Sequence, residues 1–208
     1  MNKSLQVTLI GILGAIVTLV SLTLSHLFRF YPLGYLVFDP AEIIVFISLF
    51  LFGPFVAVGI AFVHFILLNV GAEFPIIGPL MKFLAVVSTI LGVYLGISFS
   101  RYRKTFYAVI FAILLALLIR NAVMTLANYV VFLTVFSPFL SYAENLITKA
   151  TGLPGSLLLI LIFTAIYNSI HVLISVIPAY YLTRLPQLIK LTYKITTPWI
   201  KIKLKEHK

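Results

Sequence analysis

The sequence predicts an all-α, polytopic membrane protein built as a bundle of six transmembrane helices. Of its 208 residues 62% are hydrophobic and only 10% are charged, whereas a soluble domain has roughly 25% charged residues. A water-soluble fold of this size could not bury so much apolar surface, so lipid must surround most of the chain. The apolar runs are continuous, which indicates helices rather than the alternating strands of about 10 residues found in membrane β-barrels.

Six apolar segments fit membrane helices, each of which needs roughly 17–25 residues to cross the hydrocarbon core. They cover residues 5–28, 41–52, 55–70, 79–99, 106–136 and 154–182, of which the second is short and the fifth is long. The breaks between them contain residues that favour turns and helix starts, namely Pro40, Gly53-Pro54 and the run Gly152 to Gly155. Pro178 lies inside the sixth segment, where proline tends to kink a helix.

The first segment also resembles a secretory signal peptide, which is the alternative interpretation of this end of the chain. Its apolar run of about 20 residues is longer than the roughly 7–15 residues of a signal sequence. No small-residue cleavage site follows it. We therefore expect a first membrane helix here.

The lysines and arginines are distributed unevenly along the chain. If the N-terminus is inside, the cytoplasmic segments hold eleven of them: Lys3, Arg101, Arg103, Lys104, Arg184, Lys190, Lys194, Lys201, Lys203, Lys205 and Lys208. The outer segments hold only Arg29 and Lys149. Because positive charge concentrates on the cytoplasmic side of membrane proteins, we expect an even number of crossings in the plasma membrane, with the N- and C-termini cytoplasmic. The net charge of +10 then reflects orientation rather than nucleic-acid binding.

The chain after residue 185 differs from the rest in its pattern. Apolar and basic residues alternate from Ile200 to Lys205, which is typical of a segment at the surface of an anionic membrane. A simple orientation anchor is the plainer interpretation. We divide the chain into a six-helix membrane domain, residues 1–185, and a basic cytoplasmic or interfacial tail, residues 186–208.

Polar side chains inside a membrane are costly and point to functional sites. Asp39 and Glu42 begin the second helix on the outer side, where carboxylates either cap the helix or line a cavity. Lys82 and Arg120 fall within helices. Arg120 lies at mid-depth and requires a cavity or a partner, for which Glu42 and a ligand are the candidates.

Amide and phenol side chains recur on the last two predicted helices. Asn128 and Tyr129 lie on the fifth, and Asn168 and His171 lie three residues apart on one face of the sixth. If these groups converge, they predict a pocket for a polar, planar molecule. The structural alternative is interhelical hydrogen bonding, worth about 0.6 kcal/mol per bond.

Catalysis and metal binding have little support in the sequence. His64 and His171 are the candidate metal ligands, but two histidines without a carboxylate partner are weak support, and we predict no metal site. A membrane-embedded lipid-modifying enzyme would need a cluster drawn from Asp39, Glu42, His64 and His171. Because we place the carboxylates at the outer edge and the histidines deeper, we expect no single constellation and no enzyme. A scaffold that only packs against other proteins is a further alternative.

Two further features concern partners. Gly11 and Ala15 lie four residues apart on the first helix, a spacing that lets another membrane helix approach closely. No ATP-binding motif is present, so any ATP-driven work must belong to a partner.

Together these features resemble the riboflavin-binding S components of energy-coupling factor (ECF) vitamin transporters, over about residues 5–185. The segments that carry the resemblance are Phe38 to Ile43, Leu51 to Pro54, the basic run Arg101 to Thr105, Met124 to Tyr129, and Tyr167 to His171. Their order and spacing are specific, although no single motif is.

The resemblance implies an S-component fold that captures riboflavin, or a related flavin, at the outer face beneath the loop between the first two helices. The flavin is then a transported ligand, and no cofactor is expected. The resemblance also implies docking through helices one to three, with Gly11 and Ala15 at the interface. The partners would be a transmembrane coupling subunit and two ATPase subunits that drive uptake.

The same resemblance implies a set of substrate-binding residues: Asp39, Glu42, His64, Lys82, Asn128, Tyr129, Asn168 and His171. Asp39, Asn128 and Asn168 keep the family pattern, whereas His64, Lys82 and His171 depart from it. An S component for a different vitamin is therefore the alternative. The 18 phenylalanines and 11 tyrosines could supply rings that sandwich an isoalloxazine.

Overall fold

The computed structural model describes residues 1–70, 74–100 and 105–205. The basic run of residues 101–104, used above in the charge count and in the resemblance, lies outside these residues, as does Lys208. Within the described ranges the chain forms nine α-helices: α1 (Lys3–Leu24), α2 (Glu42–Phe52), α3 (Pro54–Leu68), α4 (Ile77–Ser98), α5 (Thr105–Leu133), α6 (Ser137–Thr151), α7 (Leu157–Leu182), α8 (Pro186–Ile195) and α9 (Trp199–Lys205).

The all-α membrane bundle predicted from the sequence is confirmed, with helices of unequal length. Among the described residues, α1 with the turn that follows it, α4, α5 and α7 are long and apolar enough to cross a membrane. Helices α2 and α3 are also apolar but contain only 11 and 15 residues. At about 1.5 Å per residue, α2 is about 16 Å long, roughly half the thickness of the hydrocarbon core. Helix α2 therefore begins inside the bundle.

The turn between α2 and α3 depends on glycine. Gly53 ends α2 with φ +94°, a conformation that costs little only without a Cβ atom. Pro54 then begins α3, where its missing N–H is not needed. Helix α7 continues through Pro178 as one helix from Leu157 to Leu182.

Small residues allow the closest helix contacts. A Cβ atom on Gly92 would lie 2.4 Å from the Cα atom of Ala116, and one on Gly96 would lie 2.3 Å from the Cα atom of Ala112. Helices α4 and α5 therefore touch backbone to backbone, as small residues permit in membrane bundles. On α1, Gly14 packs against the side chain of Val63 of α3, where an added Cβ atom would lie 2.6 Å from Val63 Cγ1.

Helix α6 lies in a region that the sequence analysis left as an outer loop. Its residues Ala143 and Ile147 are buried against Leu33, Phe132 and Ile160. The helix is amphipathic and short, so it gives no apolar run of membrane length. Its apolar face instead supports the segment that joins α1 to α2.

The tail forms two helices, α8 and α9, directly after residue 185. Trp199 of α9 stacks on Tyr94 of α4 with ring centroids 6.0 Å apart. A Cβ atom on Gly53 would lie 3.0 Å from Trp199 Cδ1, and Ile200 is buried in the main core. Leu191 and Tyr193 of α8 remain exposed. The end of the tail thus packs on the α2–α3 turn rather than lying wholly apart from the bundle.

Candidate ligand-binding site

A cavity of about 260 Å³ lies among α4, α5, α7 and the segment between α1 and α2. Its apolar lining residues are rich in aromatic and methionine side chains, including Met81, Met124, Phe132, Phe136 and Phe139. Its polar lining residues include Glu42, Lys82, Arg120, Asn128, Thr164, Tyr167, Asn168 and His171. An apolar wall with a few convergent polar groups is the usual form of a small-molecule site.

The charged part of the site is built around Arg120, near the middle of α5. Its Nη1 atom lies 3.1 Å from Glu42 Oε2, and both side chains are at most 2% exposed. Nη1 also donates to Thr89 Oγ1 at 3.2 Å, and Nε donates to Asn168 Oδ1 at 2.9 Å. Of the two candidate partners for Arg120, Glu42 is therefore the one that the structure supplies.

A second ion pair joins Lys82 of α4 to Asp39 Oδ2, just before α2. Ser21 of α1 donates to the same carboxylate oxygen at 2.6 Å and accepts from Lys82 Nζ at 3.1 Å. Asp39 Oδ1 accepts from the backbone N–H of Ala41 at 2.8 Å. Asp39 thus holds the backbone just before the start of α2 and serves as an ion-pair partner, but it is not among the residues that line the cavity.

The two histidines join the same network. His171 Nε2 lies 3.4 Å from Glu42 Oε1 and accepts from the backbone N–H of Asp39 at 3.3 Å. His64 Nδ1 lies 3.0 Å from Thr18 Oγ1, and its Nε2 atom lies 3.9 Å from Asp39 Oδ2.

The expectation that the carboxylates and the histidines lie apart is therefore wrong. Its physical reason is the length of α2. Helix α2 has only 11 residues, and its acidic start packs against α5 and α7, where Glu42 meets Arg120 and His171. Within the described residues, however, no group of three or more such side chains is arranged to hold a metal ion.

Charge balance accounts for the burial of these groups. Asp39 and Glu42 pair with Lys82 and Arg120, so two negative and two positive groups are buried together. Isolated ions are costly to bury, whereas well-paired, hydrogen-bonded ions are tolerated. Six elements meet in this network, because its members come from α1, the start of α2, α3, α4, α5 and α7.

The asparagines of α5 and α7 differ in the hydrogen bonds that their side-chain amides already make. Asn168 is fixed by the Arg120 contact and by a hydrogen bond from its Nδ2 atom to Thr164 O at 2.9 Å. Asn128 donates to Met124 O at 2.7 Å and lines the cavity. Asn121 donates to Ser169 Oγ at 2.8 Å, which is a bond between α5 and α7 outside the cavity.

Tyr129 and His64 lie outside the cavity wall. Tyr129 is 47% exposed and borders a surface groove with Asn121 and Leu161. His64 borders a smaller void that it shares with Glu42 and Lys82. The cavity thus brings together Glu42, Lys82, Asn128, Asn168 and His171 of the substrate-binding residues expected from the sequence, with Asp39 attached through Lys82.

Sequence analysis missed several polar residues of the site. Tyr167 donates to Val37 O at 2.6 Å and lies 3.1 Å from His171 Nδ1. Thr164 and Tyr35 line the cavity with hydroxyls that have no hydrogen-bond partner among the described residues. Thr164 and Tyr167 lie on the same face of α7 as Asn168 and His171, a spacing of three to four residues that could have revealed them.

The segment between α1 and α2 covers the cavity. Arg29 and Val37 form an isolated antiparallel bridge, and Leu36 and Val37 line the cavity beneath it. Phe38 packs on Tyr167 with ring centroids 4.9 Å apart. The loop is therefore held as a cover by backbone and aromatic contacts to α7.

The small residues of α1 lie on two faces. Gly14 is buried against α3, whereas Gly11 and Ala15 are exposed. A Cβ atom on Gly11 would meet nothing within 4 Å. This face is open to a neighbouring helix.

Comparison with known proteins agrees with this architecture. One solved structure, described as that of the S component of a bacterial ECF transporter, superposes with a TM-score of 0.70 at 20% sequence identity, covering 91% of this chain and 98% of the other. No curated protein matches the chain. The family model of the substrate-specific component of ECF transporters matches residues 5–180. Because that match covers most of the sequence, the chain belongs to the family of ECF transporter substrate-specific components.

Proposed function

We propose that this S component captures riboflavin, or a closely related flavin, at the outer face of the plasma membrane for ATP-driven uptake by partner subunits. The observation that carries the proposal is the cavity itself, whose wall combines aromatic side chains with amide and hydroxyl groups. A flavin has both a planar aromatic ring system and an edge of hydrogen-bonding groups. Aromatic rings stack on the former, and Asn128 is placed to bond the latter.

The size of the cavity bears on how a flavin would enter. At about 260 Å³ it is somewhat smaller than the roughly 300–1,000 Å³ of typical ligand pockets. We therefore expect the cover formed by residues 28–38 to move outward as the ligand binds. Slower hydrogen exchange of this segment with riboflavin present, compared with the free protein, would support that step.

The partners follow from the family. We propose that the protein docks on a transmembrane coupling subunit through α1, α2 and α3, with Gly11 and Ala15 at the contact, and that two ATPase subunits drive delivery. The exposure of Gly11 and Ala15 supports this use of α1. In the proposed orientation both termini and the basic tail are cytoplasmic, in line with the distribution of lysine and arginine.

A different vitamin is the second candidate. His64, Lys82 and His171 depart from the riboflavin-binding pattern, and Lys82 and His171 line the cavity.

A lipid-modifying enzyme has one observation in its favour, the convergence of Asp39, Glu42, His64 and His171. In the structure both carboxylates are engaged by cations, which favours a role in holding the bundle.

The deciding experiment begins with the absorbance spectrum of the purified protein, followed by titration of riboflavin fluorescence. A flavin that copurifies, or quenching that saturates at micromolar protein, supports the proposal. A colourless protein that does not quench riboflavin but binds thiamine or biotin would replace the flavin by another vitamin. Asn121→Ala is the matched control, because Asn121 makes its bond outside the cavity and its loss should leave the affinity unchanged.

A further inference from the structure

Two hydroxyl groups in the cavity wall lack a hydrogen-bond partner. They are Thr164 Oγ1 on α7 and Tyr35 Oη on the cover, and both atoms are buried. Neither has a hydrogen bond within the part of the chain that the structure describes. A buried hydroxyl without a partner destabilises a protein, so such a group calls for an explanation.

Thr164 differs from Thr18 and Thr89, two other buried threonines of the membrane helices. Thr18 donates to Gly14 O at 2.9 Å, and Thr89 donates to Ala85 O at 2.8 Å. Both therefore use the carbonyl four residues earlier, the usual partner of a helical threonine. Thr164 is 2% exposed yet makes no such bond, so a residue of the cavity wall carries a buried hydroxyl without a partner among the described residues.

The neighbouring cationic groups are already committed, whereas Glu42 Oε1 has no hydrogen-bond partner among the described residues. Arg120 bonds to Glu42, Thr89 and Asn168, and Lys82 bonds to Asp39 and Ser21. The unused hydrogen-bonding capacity of the wall therefore includes the two hydroxyls, which can each donate and accept. The four charged groups balance one another, so they leave no unpaired charge for an ionic ligand.

We propose that the Thr164 and Tyr35 hydroxyls are specificity-determining groups that hydrogen-bond the polar edge of an uncharged, planar ligand carrying both donors and acceptors. This rests on the proposed function, in that it takes the cavity as the substrate site. The two hydroxyls approach from α7 and from the cover, so a ligand that satisfies both also ties the cover to the bundle. Discrimination is strong in such sites because a ligand without the matching groups leaves them unpaired.

The test compares Thr164→Val, Thr164→Ser and Tyr35→Phe with wild type, with and without ligand. Without ligand, Thr164→Val should melt at or above the wild-type temperature, because it removes an unpaired hydroxyl at nearly constant volume. Thr18→Val is the control, and it should melt lower because it removes the hydroxyl that pairs with the buried His64 Nδ1 atom of α3. A fall in melting temperature for Thr164→Val as large as that for Thr18→Val would show a partner inside the protein and overturn the proposal.

Affinity is measured with riboflavin, thiamine and biotin as probes. For the probe that wild type binds, we expect Thr164→Val and Tyr35→Phe each to raise Kd about tenfold, and Thr164→Ser to keep the wild-type Kd. An unchanged Kd in both hydroxyl-deleting variants would overturn the proposal. Failure of riboflavin to bind removes the flavin assignment, whereas binding of the thiamine cation or the biotin carboxylate in its place would overturn the uncharged, planar ligand class. The melting comparison tests the unpaired hydroxyls separately, because it needs no ligand.

Discussion

The guanidinium of Arg120 and the carboxylate of Glu42 form an ion pair of 3.1 Å at the centre of the bundle. Through Arg120, the pair connects α2 to Thr89 of α4 and to Asn168 of α7. A single residue on α5 therefore sets the position of three other helices and of an amide on the cavity wall. The same contacts therefore affect both the stability of the helix bundle and the shape of the ligand-binding cavity.

We expect Arg120→Met and Glu42→Gln each to destabilise the protein by about 3–5 kcal/mol, because each leaves its partner as an uncompensated buried charge or an unmatched donor. The double variant should recover part of this loss, since it leaves neither charge behind. Denaturant unfolding in mixed micelles measures the change. Lys149→Met, at an exposed position, should change stability by less than about 0.5 kcal/mol. Additive losses in the double variant would show that the two residues are not coupled.

Much of the fold could be predicted from the sequence because lipid imposes a simple rule on apolar length. The six predicted helices correspond to α1–α5 and α7, although the fifth ends at Leu133 and the sixth begins at Leu157. Helix α6 was missed because it contains Glu144 and Lys149 among its apolar residues, which resembles a polar loop. The packing of α9 was not predicted because Trp199 and Ile200 contact the bundle through tertiary contacts, which a local sequence pattern does not show.

The site was only partly predictable for a related reason. The need of Arg120 for a partner follows from the cost of charge in a membrane, and Glu42 was a candidate. The depth at which α2 begins could not be read from its sequence, so the meeting of Asp39 with His171 was not foreseen. Thr164 also looked ordinary, since most threonines in membrane helices bond to their own helix.

The two cavity asparagines should behave differently when replaced by alanine. Asn128 bonds within its own helix, so Asn128→Ala should weaken ligand binding by about 1–3 kcal/mol with little change in melting temperature. Asn168→Ala should also lower the melting temperature, because it removes an acceptor from Arg120 Nε. Fluorescence titration and thermal unfolding separate the two effects. Wild-type affinity in both variants would contradict the assignment of the cavity.

Two glycines allow a test that separates folding from docking. Gly96→Ala places a methyl group 2.3 Å from the Cα atom of Ala112, so α4 and α5 must separate, at a cost of about 1–3 kcal/mol or more. A Cβ atom on the exposed Gly11 would meet nothing within 4 Å, so Gly11→Leu should leave folding and ligand affinity unchanged, while it impairs assembly with the coupling subunit. Copurification of the complex measures assembly. Normal assembly of Gly11→Leu would remove this face of α1 from the proposed interface.

Ionisation of Tyr35, on the cover, should make the folding stability of the protein depend on pH. Burial, and to a lesser extent the neighbouring Tyr142, raise the pKa of the Tyr35 phenol above its usual value of about 10. The Tyr35 phenol therefore loses its proton more readily in the unfolded chain than in the folded protein. It contributes to folding stability at pH values below the unfolded pKa, and this contribution is lost as the pH rises above about 10. Wild type should therefore lose stability relative to Tyr35→Phe between about pH 10 and pH 11. Over the same interval, as long as both proteins remain folded, their tyrosinate absorbance should rise equally, because Tyr35 itself does not ionise. A smaller rise in Tyr35→Phe would mean that Tyr35 titrates like an exposed tyrosine and that the cover does not bury its hydroxyl.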